Sequence, residues 1–75
     1  LAAALEQQRQ FMADASHELR TPAAVVRSAA DVALRREDRS AAEYRQALEI
    51  ARSEAERLAR IVDDLFLLAR ADAAQ

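Results

Sequence analysis

Apolar residues recur along this chain at alternating steps of three and four, with one polar interruption near the middle. Such steps are typical of the a and d positions of a helical heptad, which form a seam along one face of a helix. The pattern therefore predicts two long helices, one on each side of the interruption. The seam positions are Leu5, Gln8, Met12, Ala15, Leu19, Pro22, Val26, Ala29 and Ala33 in the first half, and Leu48, Ala51, Ala55, Leu58, Val62, Leu65 and Ala69 in the second.

The interruption is a run of five polar residues, Arg36 to Ser40. Ser40 and Glu43 have the spacing of a capping box, in which a hydroxyl accepts from a free backbone N–H and the carboxylate reaches back to the cap. A second helix should therefore begin near residue 41. We predict helices over about 2–36 and 41–72, joined by a turn over about 37–40.

A third apolar column widens the stripe on both helices. Three apolar columns per heptad suit a helix that faces more than one neighbour, whereas a lone hairpin offers each helix only one. We therefore predict an all-α fold, an antiparallel two-helix hairpin that dimerises into a four-helix bundle. A single long coiled coil through the polar turn, or a monomer, is a weaker alternative. The added column holds Phe11, Val25 and Val32 in the first helix and Ala47, Ile61 and Leu68 in the second.

Composition narrows the classes of protein that remain. The chain has 75 residues, so it forms one domain at most, and it has no cysteine for a disulfide or thiolate metal site. The net charge of −2 lacks the clustered basic excess of a nucleic-acid surface. No apolar run approaches the roughly 20 residues that cross a bilayer. We expect a soluble domain that binds neither nucleic acid nor membrane.

The one histidine of the chain, His17, is the candidate for chemistry. With Met12 and Leu19 at position a, His17 falls at position f, which faces solvent. A lone histidine cannot build a metal site, and most surface histidines have no function. Two neighbours favour a functional role for His17. Thr21 lies one turn further on the same face, and Pro22 removes a helix hydrogen bond beside it.

The segment FMADASHELRTP, residues 11–22, resembles the H-box of bacterial sensor histidine kinases. Residues 55–65 and 67–72 are similar to the closing helix of the same domain, which mediates dimerisation and histidine phosphotransfer. Residues 1–10 are similar to the end of an upstream signalling coil that continues into helix one. The resemblance implies that residues 11–72 form the domain and that residues 73–75 begin a linker to an ATP-binding domain.

The resemblance also implies a role for each residue of the H-box. His17 would accept the γ-phosphoryl group of ATP and pass it to an aspartate of a response regulator. Glu18 would orient and activate the imidazole, and Thr21 would position a water for dephosphorylation of the regulator. Arg20 would steady the phosphate charge, and Pro22 would kink the helix.

Partners follow from the same resemblance. ATP and Mg²⁺ would be bound by the missing ATP-binding domain, since phosphate-cradling loops depend on glycine and this chain has none. The fragment would hold no cofactor or metal and would be inactive alone. Its partners would be a second copy of itself, its own ATP-binding domain and the receiver domain of a response regulator. The full protein would be anchored in the bacterial plasma membrane, with this domain in the cytoplasm.

The regulator would dock between the histidine and the turn. The candidate docking residues are Ala24, Arg27, Ser28 and Asp31 on helix one, and Arg45, Glu49, Arg52 and Ser53 on helix two.

Two alternative functions remain. One is a structural bundle or coiled-coil adaptor without chemistry, and the other is a monomeric phosphotransfer module.

Overall fold

The protein folds as two long helices lying side by side. The computed structural model describes the backbone of residues 1–74 and the side chains of residues 1–71. Helix α1 spans Ala2–Leu34 and helix α2 spans Ala41–Ala74, and they pack antiparallel within 58 × 19 × 10 Å. This arrangement confirms the predicted all-α hairpin.

The helix bounds differ slightly from the predicted ones. Helix α1 ends two residues before the expected end at 36, because the Arg35 N–H donates to the Val32 carbonyl (3.3 Å) and tightens the last turn. Helix α2 begins at Ala41 as predicted and continues past 72 to Ala74. The expected linker over 73–75 thus begins in helical backbone, and residue 75 lies outside the described residues.

The start of α2 is fixed by the predicted capping box. The Glu43 N–H donates to Ser40 Oγ (3.1 Å), and the Ser40 N–H donates to Glu43 Oε1 (3.1 Å). These reciprocal bonds satisfy two backbone donors that no helical carbonyl can reach. The polar run therefore ends the first helix and also starts the second.

The end of α1 is capped by side chains from beyond the turn. Many helices end on a glycine in the left-handed conformation, but no residue in the described backbone has a positive φ. Instead, Arg39 Nε donates to the Ala33 carbonyl (3.2 Å) and the Tyr44 hydroxyl donates to the Arg36 carbonyl (3.2 Å). These two bonds tie the turn to the first helix without glycine.

Acidification should weaken the capping box at the start of α2. The hydrogen bond from the Ser40 backbone N–H, helped by the nearby Arg39 guanidinium, lowers the pKa of the Glu43 carboxyl below its usual 4.5. A carboxylate with a lowered pKa stabilises the fold above its unfolded pKa, and this contribution is lost as pH falls through the folded pKa. Glu43→Gln should therefore unfold at lower urea concentration than wild type at pH 7, and the difference should shrink below pH 4.5.

Glu37→Gln is the control for this comparison, because Glu37 is an exposed turn carboxylate outside the capping box. Its stability should follow that of wild type across the same pH range. Equal urea midpoints for wild type and Glu43→Gln at pH 7 would show that the negative charge of Glu43 adds nothing to the stability of the cap, since glutamine can keep the bond from the Ser40 N–H.

The two helices meet along a narrow seam centred on Pro22. Pro22 is the one fully buried residue in the part of the chain with described side chains. The other side chains at this contact between the helices are only half-buried, because a single pair of helices covers each side chain from one side. The half-buried seam residues are Phe11, Ala15, Leu19, Val25, Val26, Ala29 and Ala33 on α1, and Tyr44, Ala47, Ala51, Glu54, Leu58, Ile61, Val62 and Leu65 on α2.

A second set of large apolar side chains stays uncovered. Leu5 is 60% exposed, Met12 61%, Leu48 69% and Phe66 64%. Leu5, Met12 and Leu48 belong to the predicted seam, yet the other helix of the same chain leaves more than half of each side chain exposed. The hairpin thus buries only part of its apolar stripe. Neither helix, over the described residues, has an apolar stretch long enough to cross a membrane.

Candidate functional site

His17 lies near the middle of α1 with its side chain exposed to solvent. The position agrees with the f column of the heptad, on the flank away from the contact with α2. Among the described residues it takes part in no ion pair and no side-chain hydrogen bond. The imidazole is therefore accessible to a partner molecule.

Glu18 follows His17 but faces a different direction. Adjacent residues on an α-helix are about 100° apart, because the helix has 3.6 residues per turn. Glu18 accordingly lines a groove beside α2, while His17 points outward. No hydrogen bond joins the two side chains in the part of the chain that the structure describes. Both side chains are exposed, so rotation about their side-chain bonds is unhindered by packing.

Thr21 and Arg20 are exposed on the turn that follows His17. On the heptad wheel, position f lies between b and c. Arg20 is at b and Thr21 is at c, so they flank the imidazole on opposite sides. Pro22 lies inside α1 and is buried against α2, and helix α1 runs through it without a break. The structure thus gives Pro22 a packing role at the centre of the hairpin.

A groove of about 310 Å³ lies between the helices toward the chain termini, and we call it the open-end groove. Its floor is apolar and three carboxylates stand at its edge. Glu18 belongs to it, which places the groove directly beside the histidine. The lining residues are Phe11, Asp14, Ala15, Glu18, Ile61, Asp64, Leu65 and Leu68.

A larger groove of about 430 Å³ lies near the interhelical turn, and we call it the turn groove. Arg39 and Glu43, which form an ion pair beside the interhelical turn, line this groove. Val32 (44% exposed) and Ile50 (45% exposed) are large apolar side chains in its lining. The full lining is Val25, Ser28, Ala29, Val32, Ala33, Arg39, Glu43, Gln46, Ala47 and Ile50.

The two grooves occupy the same face of the hairpin. On α1, Phe11 and Asp14 of the open-end groove correspond to Val25 and Ser28 of the turn groove, two heptads later. On α2, Ile50 and Asp64 are related in the same way. Since residues a whole number of heptads apart share a face, one continuous surface carries both grooves. Along α1, Thr21 lies between the two grooves, and His17 lies level with the end of the open-end groove.

Of the predicted docking residues, Ser28 alone is in the lining of the turn groove. Two pairs form exposed i,i+4 ion pairs on the outer helix surfaces, Arg27 with Asp31 (3.8 Å) and Arg45 with Glu49 (3.2 Å). Exposed pairs of this kind contribute about 0–1 kcal/mol and partly neutralise each other. The structure does not bring these residues together with Ser28 in one concave surface.

The remaining predicted docking residues are also exposed on the outer surface. Ala24 lies on α1, and Arg52 and Ser53 lie on α2. Arg52 forms an ion pair with Glu56 (3.9 Å). The groove residues that the sequence prediction missed are apolar, Val25, Val32 and Ile50, and the g and c heptad columns would have identified them. No group of metal-ligating side chains occurs within the described residues.

Comparisons with known proteins agree with this geometry. Residues 7–74 match the family model described as "His Kinase A (phospho-acceptor) domain". A probable sensor histidine kinase of Mycobacterium tuberculosis, TcrY, is 50% identical over 64 residues, which are 85% of this chain and 13% of that protein. No solved structure matches the chain.

Two further relatives have the same character. The sensor protein kinase PmrB of Pseudomonas aeruginosa is 46% identical over 72 residues, 96% of this chain and 15% of PmrB. The sensor protein CzcS of Cupriavidus metallidurans is 47% identical over 64 residues, 85% of this chain and 13% of CzcS. The chain thus spans about one seventh of the length of these relatives. Because the family model covers nearly all of the two-helix hairpin and includes its exposed histidine, the chain belongs to the His Kinase A phospho-acceptor domain family of sensor histidine kinases.

Proposed function

We propose that His17 accepts the γ-phosphoryl group of ATP and transfers it to an aspartate of a response regulator. One observation carries this proposal: the one histidine of a phospho-acceptor domain is presented to solvent in the middle of a regular helix. The reaction needs an imidazole that two different partners can approach in turn. An exposed position on the hairpin meets that need.

In the first step, a ring nitrogen of His17 attacks the γ-phosphorus of ATP. A P–N bond forms, the P–O bond to ADP breaks, and ADP leaves with the bonding electron pair. The attacking nitrogen must carry a lone pair, so the ring proton has to stay on the other nitrogen. Glu18 supports this requirement. Its carboxylate is exposed and, after rotation of the side chain, can accept a hydrogen bond from the ring N–H of His17. Arg20, exposed on the other side, adds positive charge near the phosphoryl group.

ATP would be supplied by a domain outside these residues. The relatives share only 13–15% of their length with this chain, so most of each kinase lies elsewhere. On this proposal the 75-residue chain is a substrate and docking platform that cannot phosphorylate itself. ATP and Mg²⁺ would be held by the separate domain. The full protein would be anchored in the bacterial plasma membrane, with this domain on the cytoplasmic side.

The functional unit would be a homodimer. The uncovered side chains of Leu5, Met12 and Leu48 continue the apolar stripe past the contact between α1 and α2. A second hairpin would cover them and complete a four-helix bundle. A chain this short also gains stability from association, because one helix pair buries little apolar surface.

The response regulator would dock at the turn groove. The groove lies on the same face as Thr21 and offers an apolar surface beside polar Ser28 and Gln46. A receiver domain seated there would hold its aspartate near the histidine. Of the docking candidates from the sequence, Ser28 fits this position best, because it lines the groove.

Thr21→Ala should separate the two activities of the domain. Thr21 is exposed on the groove side of His17, where it can hold a water against a phosphoaspartate on the regulator. The variant should accept phosphate at His17 at the wild-type rate, whereas dephosphorylation of the regulator should fall about tenfold or more. Thr21→Ser, which keeps the hydroxyl, should retain most of the dephosphorylation activity. Equal loss in both variants would argue against a hydroxyl-specific role.

The proposal is tested by incubating the chain with ATP and a separately supplied histidine-kinase ATP-binding domain. Acid-labile phosphate on the chain is the expected product. A lack of phosphate would favour a structural adaptor without chemistry. Phosphate that arrives only from another phosphorylated protein, on a chain that sediments as a monomer, would favour a relay module.

A further inference from the structure

The middle of the grooved face contains one arginine that no local interaction explains. On α2, Arg57 lies one heptad after Ile50 of the turn groove and one heptad before Asp64 of the open-end groove. On α1, Thr21 lies one heptad after Asp14 and one heptad before Ser28, which line the same two grooves. Thr21 and Arg57 therefore occupy equivalent positions on the two helices, between the grooves.

The antiparallel register brings these two positions to the same level of the hairpin. Val25 and Ser28 lie level with Ala47 and Ile50 in the turn groove. In the open-end groove, residues 11–18 lie level with residues 61–68. Interpolation between these two levels sets Arg57 across the helix contact from Thr21. Thr21 itself lies one helical turn after His17 on α1.

Arg57 is free to interact with a partner. Its side chain is exposed and forms no hydrogen bond or ion pair with any residue of described position. By contrast, Arg27, Arg45 and Arg52 on the outer surfaces are each paired with a carboxylate. Other arginines without a partner, such as Arg60, lie at heptad positions away from the grooved face.

The surroundings of Arg57 are acidic. Glu18 and Asp64 line the adjoining groove, and half-buried Glu54 lies one turn before Arg57 on α2. A phosphoryl group that moves along this face carries negative charge and would be repelled by these carboxylates. An arginine guanidinium can donate two parallel hydrogen bonds to phosphoryl oxygens, which offsets the repulsion.

We propose that Arg57 binds the phosphoryl group during its exchange with the docked regulator. This inference rests on the proposed function of His17. In the transfer step the P–N bond to His17 breaks, its electron pair stays on the imidazole nitrogen, and a P–O bond to the regulator's aspartate forms. In dephosphorylation, a water oxygen attacks phosphorus and the aspartate carboxylate leaves. Both steps take place on the groove side of His17, where Arg57 lies.

Acceptance of phosphate from ATP does not require this arginine. Position b of α1, on the other side of the imidazole from Thr21, carries Arg20. A donor that approaches His17 from solvent meets Arg20 without entering the grooved face. Loss of Arg57 should therefore affect exchange with the regulator and leave acceptance from ATP unchanged.

The test compares Arg57→Gln with Arg60→Gln, a matched loss of arginine three residues later on α2. Each chain is phosphorylated by ATP and a supplied ATP-binding domain, then mixed with increasing concentrations of a receiver domain that accepts phosphate from wild type. Arg57→Gln should take up phosphate within twofold of the wild-type rate, whereas its transfer rate at saturating receiver should fall about tenfold or more. Arg57→Lys should recover part of that loss, and Arg60→Gln should behave as wild type.

Two kinds of result would overturn the proposal. Unchanged transfer in Arg57→Gln, or a change only in the receiver concentration needed for half-maximal rate, would show that Arg57 does not contact the phosphoryl group. If Arg57→Gln alters the sedimentation profile, Arg57→Lys and Arg57→Met replace it, since both keep the aliphatic stem of the side chain. Their rates of phosphate uptake and of transfer to the receiver are then compared in the same way. Failure of wild type to take up phosphate would instead refute the function of His17, and the inference with it.

Discussion

His17→Gln should take up no acid-labile phosphate when mixed with ATP and a histidine-kinase ATP-binding domain. Glutamine keeps a polar side chain of similar length, but its amide nitrogen is not a nucleophile, whereas a neutral imidazole nitrogen is. Because His17 is the one histidine of the chain, no second imidazole can take its place. The loss should be complete, down to the level without enzyme.

The variant should keep its fold. His17 is exposed and makes no side-chain hydrogen bond within the described residues, so its replacement removes no packing. Circular dichroism and the sedimentation profile should match those of wild type. Ser16→Ala, a change at the preceding exposed position, is the matched control and should take up phosphate normally. Loss of phosphate in Ser16→Ala but not in His17→Gln would contradict the assignment.

In the proposed homodimer, Leu48→Glu should convert the dimer into monomers. Leu48 is 69% exposed in the single hairpin and belongs to the uncovered part of the apolar stripe. Burial of a leucine side chain stabilises by about 1.5–3 kcal/mol, and a dimer loses two such side chains. At about 1.4 kcal/mol per factor of ten, the dimer dissociation constant should rise about 10² to 10⁴-fold. Sedimentation equilibrium over a range of concentrations measures this change.

Leu34→Glu is the control for this experiment. Leu34 is 78% exposed, but it lies at the end of α1 outside the heptad columns that form the stripe. The same substitution should therefore leave the dimer intact. A similar shift in both variants would indicate a general effect of added charge, and a wild-type chain that sediments as a monomer would refute the dimer.

The sequence predicted the hairpin well because local signals agreed with the long-range pattern. The heptad spacing defined both helices, and the Ser40–Glu43 capping box located the start of α2 at the residue observed. The end of α1 was less accurate, because it depends on the tightened last turn at Val32 and on side chains of Arg39 and Tyr44 that reach back to the end of the helix. Contacts of long, flexible side chains across a turn leave no periodic signal in a sequence.

The division of the apolar stripe could not be predicted from spacing. Three apolar columns predicted that each helix faces more than one neighbour, but spacing alone did not show which column meets the other helix of the chain. The structure places Phe11 and Val25 at that contact, while Met12 and Leu48 remain exposed. Which column lies at the contact depends on how α1 and α2 cross, and the turn sets that crossing.

The candidate site was predicted in part. The heptad register correctly gave an exposed His17, and the neighbouring Thr21 is exposed on the same side. No hydrogen bond joins Glu18 to the imidazole among the described residues, because adjacent helical residues point about 100° apart, and the orienting role of Glu18 stays a prediction. Of the predicted docking residues, Ser28 lines the turn groove and the others, such as Arg27, lie outside it, and their docking role stays a prediction.

Locating the phosphate on the chain shows whether His17 is the acceptor. Phosphorylated chain with ¹⁵N-labelled histidine is examined by ³¹P and ¹⁵N NMR, in which the single histidine gives a single imidazole. We predict a phosphoramidate signal coupled to a ring nitrogen of His17, lost on acid treatment. An acid-stable phosphate ester on a serine or threonine, with the imidazole unchanged, would contradict the account.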